Sequence, residues 1–191
     1  MDNALKYYED ALKIDRDIGY KQGEAANLVN IANVHFDKSD LGTAQKYYED
    51  ALKIDRDIGY KQGEATNLGN IGNIHFNRGD IDTALEYYED TLKIDRDIGY
   101  KQGEATNLVN ISNVHFRKED LGTAQKYYED ALDIDRDIGH RKGVAITLPH
   151  IVVACKNGRS KKEAKLFDYS CSEEATELWN ALRELKERRK K

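Results

Sequence analysis

The sequence predicts an all-α solenoid of antiparallel helix pairs, with about ten helices in 191 residues. Three observations carry that expectation. Residues 21–60 and 101–140 repeat one forty-residue text, differing only at Ala26/Thr106, Ala32/Ser112, Asp37/Arg117, Ser39/Glu119, Lys53/Asp133 and Tyr60/His140; residues 61–100 keep the same frame. A fixed period of that length marks an array whose units bury their apolar faces against one another. Each period holds two stretches of helical apolar spacing. The chain also has a single proline, the residue that removes a backbone donor wherever it enters a helix.

Residues 1–20 read as the second helix of a partial repeat, because "DNALKYYEDALKIDRDIG" matches the second half of each later unit with no first helix before it. Full repeats follow at 21–60, 61–100 and 101–140. In the middle one a first helix from about Gln62 to Arg78 gathers Leu68, Ile71, Ile74 and His75 on one side. A second helix from about Ile81 to Ile98 gathers Ala84, Tyr88, Thr91 and Ile98. Asp40, Asp80 and Asp120 precede the second helices, where a carboxylate can accept orphan backbone N–H groups. Gly59, Gly99 and Gly139 follow them, where a left-handed cap favours glycine. Gly79 closes the middle first helix, but Ser39 and Glu119 hold that place elsewhere, so the first helices carry weaker end signals.

Residues 141–171 form a degenerate fourth repeat. Its first helix, "GVAITLPHIVVACKNG", contains Pro149, which is expected to kink or shorten it; "SKKEAKLFDYS" makes a poor second helix. Residues 172–191 supply a capping helix with Leu178, Leu182 and Leu185 on one face and Trp179 beside them. Its basic tail, "RELKERRKK", complements the dipole at a helix end.

The charged fraction is high (34%) but nearly balanced, at −5 overall, which argues against nucleic acid as the main partner. No apolar run of about 18 residues is present to span a membrane. Cys155 and Cys171 are too few for a disulfide framework, and a reduced, cytoplasmic setting is the simpler expectation. No nucleophile–base set, phosphate loop or metal-ligand spacing occurs, so neither an enzyme nor a metal or other cofactor is expected. His35, His75 and His115 recur with the period. Equivalent residues of packed helices stand about 8–10 Å apart or more, too far to share a zinc ion with ligands about 2 Å away. They fall on the apolar side of the helix and are expected in the core. Of the paired tyrosines, Tyr48 is expected to point inward and Tyr47 toward the neighbouring helix.

The least ordinary feature is a run of asparagines within the first helices: "NLVNIANVHF" from 27, "NLGNIGNIHF" from 67 and "NLVNISNVHF" from 107. Asparagine is a poor helix former because its amide competes for nearby backbone groups. At about 100° per residue, Asn70, Asn73 and Asn77 share a polar arc with Thr66 and Gly69, opposite Leu68, Ile71 and Ile74. Asn67 lies at the apolar edge and is expected to be structural, as are Asn27 and Asn107. The candidate contact residues are therefore Asn33, Asn73 and Asn113, flanked by Asn30, Asn70 and Asn110. An amide can bond both the C=O and the N–H of a peptide backbone. The bland alternative is that these amides bond between helices or face water. Gly69, where the other repeats have Val29 and Val109, would let a ligand backbone come closer. Asn77 and Arg117, equivalent to Asp37, stand near the lip of the same surface, where drift on a solvated face is the competing explanation.

The alternation of large and small residues at Leu68, Ile71, Gly72, His75, Ala84, Tyr88 and Thr91, repeated at the equivalent places of the other units, resembles the tetratricopeptide repeat. The histidine at an aromatic place and the missing proline after the second helix depart from that pattern. The forty-residue form, "GEATNLGNIGNIHFNRGDIDTALEYYEDTLKIDRDIGYKQGEA", is similar to the repeats of LGN/Pins-type spindle-orientation adaptors. It is also similar to the repeat arrays of bacterial and archaeal signalling ATPases and, more loosely, to kinesin light chains. The likeness covers residues 1–140 strongly and 141–170 weakly. It implies a right-handed superhelix whose concave face, lined by the first helices, holds a peptide or a partner's helix. In such adaptors the asparagines of "N-L-G-N" contact bound peptide, and the resemblance extends that role to Asn70 and Asn73 and their equivalents. Val29, Gly69 and Val109 stand where a chaperone-tail clamp would place lysine, which argues against that ligand.

The expected function is a non-catalytic scaffold that binds a protein or peptide ligand in its groove. The alternatives are a regulatory or sensor array of a larger signalling protein, or a self-associating module. Homodimerisation would run through the N-terminal helix, whose Leu5, Tyr8 and Leu12 are expected to be without their usual partner.

Overall fold

A computed structural model of the chain describes residues 2–160. They form eight helices: α1 (Asp2–Asp17), α2 (Lys21–Asp37), α3 (Leu41–Asp57), α4 (Lys61–Arg78), α5 (Ile81–Asp97), α6 (Lys101–Arg117), α7 (Leu121–Asp137) and α8 (Arg141–Ser160). The fold is all-α, with no strand among the described residues. The second helix expected before residue 171 and the capping helix of 172–191 lie outside the described residues.

Helices α1–α7 end in the same device. After α3, the N–H of Gly59 bonds Arg56 O and that of Tyr60 bonds Asp55 O, the paired bonds of a Schellman cap with Gly59 left-handed at φ 72°. After α2 and α6, Ser39 and Glu119 adopt the same left-handed geometry at φ 62° without being glycine. Asp40 is at once the last residue of that cap and the N-cap of α3. Its Oδ1 accepts from Thr43 N at 3.2 Å, as that of Asp120 does from Thr123 N. Asp80 differs from the expectation: its side chain makes no cap bond and instead lies 3.3 Å from His75 Nδ1.

Helices α1–α5 belong to one compact unit, Met1–Tyr100, in which consecutive helices pack on one another. Leu28 and Ile31 of α2 pack between Leu12 of α1 and Ala51 of α3. Leu68, Ile71 and Ile74 of α4 meet Ala44, Tyr48 and Leu52 of α3. Leu5, Tyr8 and Leu12, expected to be without their usual partner, pack beside Ala25, Leu28 and Ile31 of α2, and Leu12 is buried.

Buried charge also ties these helices together. Glu64 Oε1 accepts from Arg56 Nε at 2.8 Å, and its Oε2 from Lys61 Nζ at 2.7 Å. Glu24 is held in the same way by Arg16 and Lys21. Both carboxyls stay below the usual range, first through the lysine hydrogen bond and then the arginine one. Asp55 is buried and accepts from Asn67 Nδ2 at 2.8 Å, as Asp15 does from Asn27. Asn67 is thus structural, as its place on the helix indicated.

Helices α6–α8 belong to the second unit, which runs from Lys101 onward. Its core joins Ala124, Tyr128 and Leu132 of α7 to Ile151 of α8. Pro149 does not shorten α8, which runs on for 20 residues. The carbonyl that loses its partner belongs to Ala145, and both residues lie on the exposed side, where the group is open to solvent.

Candidate peptide-binding surface

The candidate residues sit on α2, α4 and α6, the first helices of the repeats. Helical spacing sends Leu68, Ile71 and Ile74 into the core, which leaves the opposite arc of α4 to Thr66, Gly69, Asn70, Asn73 and Asn77. Asn33 is exposed, Asn73 and Asn113 are half-buried, and Asn30, Asn70, Asn110 and Gly69 are half-buried beside them. Asn77 is exposed and donates its Nδ2 to Asn73 O at 2.8 Å. Arg117 is exposed as well.

One contact recurs in all three repeats. The Tyr48 hydroxyl donates to Asn33 Oδ1 at 2.5 Å, Tyr88 to Asn73 Oδ1 at 2.8 Å, and Tyr128 to Asn113 Oδ1 at 2.5 Å. Each tyrosine is buried, and burial pushes the phenols of Tyr48 and Tyr128 up to about 12 and that of Tyr88 upward too. A phenol kept neutral in this way must place its proton on an acceptor, and the amide oxygen is that acceptor. Each amide therefore turns its oxygen toward the second helix and leaves both Nδ2 protons uncommitted. The oxygen keeps a second lone pair, so the amide can still donate from Nδ2 and accept at Oδ1. Asn30, Asn70 and Asn110 make no side-chain hydrogen bond with another described residue and keep both capacities.

The histidines also depart from expectation. His35, His75 and His115 lie at the rim rather than in the core, each stacked on the first tyrosine of the pair with ring centroids 5.4–5.7 Å apart. Their Nδ1 atoms stand 3.1–3.3 Å from Asp40, Asp80 and Asp120. Their wheel position borders the core, and a polar ring there turns toward the nearest carboxylate. The aspartate lies five residues on, past the cap, so helical spacing alone does not reveal the pair.

No described helix is long and apolar enough to cross a membrane. No curated protein matches the chain. Among solved structures it is similar to BtubC (BKLC) from P. vanneervenii, with TM-score 0.71 and 17% identity over 82% of this chain and 66% of that one. It is also similar to a Rap protein complexed with Competence and Sporulation Factor, with TM-score 0.72 and 16% identity over 84% of this chain and 45% of that one. A third similar structure is a signal transduction ATPase with numerous domains, carrying a tetratricopeptide repeat sensor, from Pyrococcus horikoshii. There the TM-score is 0.65 and the identity 19%, over 86% of this chain and 27% of that one. At these identities the likeness is one of fold, and the chain spans only part of the length of each. The tetratricopeptide repeat sequence profile matches residues 1–57 and 63–137. With its helix pairs, recurrent caps and small-on-large packing, the chain belongs to the tetratricopeptide repeat family.

Proposed function

We propose that the chain is a non-catalytic protein-interaction module whose first helices bind a peptide or a helix of a partner protein. In the first unit the amides of Asn33 and Asn73 make the contact, flanked by Asn30, Asn70, Asn77 and Gly69; in the second, Asn113 does so beside Asn110 and Arg117. The observation that carries this reading is the tyrosine bond to each amide oxygen. It holds the amide oxygen against the second helix, so the readiest ligand atoms for the remaining N–H groups are acceptors: backbone carbonyls or carboxylates. Each such bond contributes about 0.5–1.5 kcal/mol, and ordering a flexible peptide offsets part of that, so affinity is moderate. The fold likeness to a Rap protein solved with Competence and Sporulation Factor supports a ligand-binding role.

A second reading is a sensor array within a larger signalling protein. The likeness to the Pyrococcus horikoshii ATPase with its tetratricopeptide repeat sensor favours it. The two readings share the surface and differ in whether binding is reported to another domain.

The direct test pans a displayed peptide library on the chain and on the Asn33→Asp/Asn73→Asp/Asn113→Asp variant. Aspartate keeps the acceptor for each tyrosine and removes the outward donors. Peptides selected by the parent should lose the variant while its thermal unfolding stays close to the parent's. Equal binding to both would remove these amides from the site.

A further inference from the structure

Between their ends, α2 and α4 carry no carboxylate, ammonium or guanidinium group. From Ala25 to Phe36 and from Ala65 to Phe76 there is no aspartate, glutamate, lysine or arginine, although the whole chain is 34% charged and α3 alone has seven such residues in seventeen. Burial accounts for part of this, because a half-buried charge without a partner is costly. It does not account for Ala26, Asn33 and Thr66, which are exposed. Lysine or glutamate would cost little there and would suit a helix better than asparagine or threonine.

Nearby cations are turned to other partners. Arg56 and Lys61 both bond Glu64, and Arg16 and Lys21 both bond Glu24. Arg78 donates to Gln45 Oε1 at 2.7 Å. His35 and His75, the ionisable groups inside the two stretches, stack on Tyr47 and Tyr87 with Nδ1 beside Asp40 and Asp80. Thr66 donates its hydroxyl proton to Gln62 O at 2.9 Å. What this face offers a ligand is therefore amide: the N–H groups of Asn33 and Asn73, and both ends of Asn30 and Asn70.

We propose that the asparagine face of α2 and α4 takes an uncharged stretch of peptide, bonded through its backbone and through carboxamide or hydroxyl side chains, and rejects stretches with charged side chains at the contact. The inference rests on the reading of this face as a binding surface and adds the chemistry of the ligand. Of the acceptors open to these amides, it selects the backbone carbonyl over the carboxylate. An amide matches a peptide group donor for acceptor, whereas a charge brought against this face sheds water and meets no opposite charge. With no charge pair formed, salt has little to screen.

The test pans a displayed library of random short peptides on the full chain and sequences the clones retained by the parent but lost by Asn33→Asp/Asn73→Asp or by Asn30→Ala/Asn70→Ala. Asn30 and Asn70 make no side-chain bond with another described residue, so the second variant leaves the helices intact. Clones of that class should be poorer in charged residues than the unselected library. Their synthetic peptides should keep Kd within about threefold from about 0.1 M to about 1 M sodium chloride, as the screening length falls from about 10 Å to about 3 Å. A class no poorer in charge than the library, or a larger weakening by salt, overturns the inference and leaves the surface as the site. Clones that bind the parent and both variants alike, or a library from which nothing is retained, overturn the underlying reading and the inference with it.

Discussion

The Tyr88 hydroxyl donates to Oδ1 of Asn73 across the two helices of the middle repeat, at 2.8 Å. That bond does two jobs: it satisfies a buried phenol, and it holds the oxygen of the Asn73 amide against α5. Tyr88→Phe separates them. Losing the donor should cost about 0.5–1.5 kcal/mol, read by denaturant unfolding, because the half-buried amide oxygen can still reach water. A peptide ligand should bind a few-fold more weakly, since the amide is then free to rotate. Asn73→Asp should instead leave stability within about 1 kcal/mol of the parent and abolish the proposed contact with a ligand carbonyl.

The buried carboxyl of Asp55 makes stability depend on pH in an uncommon direction. Burial first of all, opposed by the Asn67 hydrogen bond, pushes it up to about 6 from 3.8. The folded chain therefore holds this proton more tightly than the unfolded chain does. Its stabilising contribution is fully present below about pH 3.8 and is lost as pH rises through about 6. Glu64, held below its ordinary value, acts with the opposite sign: its contribution is present above about 4.5 and lost as pH falls. Comparing Asp55→Asn with the parent isolates the first effect. The variant should match the parent near pH 4 and gain on it up to pH 7, by at most about 3 kcal/mol. A difference that stays flat across that range would show that the Asn67 bond, not burial, dominates.

Gly63 is tied to the same carboxyl by space. A Cβ added there would overlap the Asp55 side chain and come within 2.5 Å of the Tyr60 ring. Gly63→Ala should therefore destabilise by about 1–3 kcal/mol, although alanine is the better helix former by about 1 kcal/mol. Gly42→Ala is the control: its Cβ would meet nothing within 4 Å, and stability should hold or rise. Chemical denaturation of both variants at pH 7 makes the comparison.

The architecture was legible because its signals are local or periodic. The forty-residue frame, the apolar spacing of Leu68, Ile71 and Ile74, and the glycines after α3 and α5 each point to the same helix pairs. Asn67 could be separated from Asn73 on a helical wheel, since one angle decides burial. The contact that gives Asn73 its polarity could not be read this way. Tyr88 lies fifteen residues away on another helix, and only the crossing of α4 and α5 brings the two together. Asp55 was hidden by its surroundings, because "KIDRDIG" reads as a solvated, charged face. Its burial depends on Gly63, which clears room in the following helix.

Ser39 and Glu119 carry the last prediction. Both occupy the left-handed cap position at φ 62°, where the equivalent residue of the middle repeat is Gly79 at φ 89°. A side chain there brings its Cβ close to the following carbonyl, at a cost of about 1–2 kcal/mol that glycine avoids. Glycine also has more conformational freedom to lose when the unfolded chain orders, which offsets part of the gain. Ser39→Gly and Glu119→Gly should each stabilise by about 0.5–1 kcal/mol, and Gly79→Ser should destabilise by a similar amount. Ser39 lies in the first unit and Glu119 in the second. Hydrogen exchange of α2 and α6 should therefore slow separately in the two glycine variants. If Gly79→Ser costs nothing, the cap is held by its Schellman bonds to His75 and Phe76 irrespective of the residue in it, and neither glycine substitution should help.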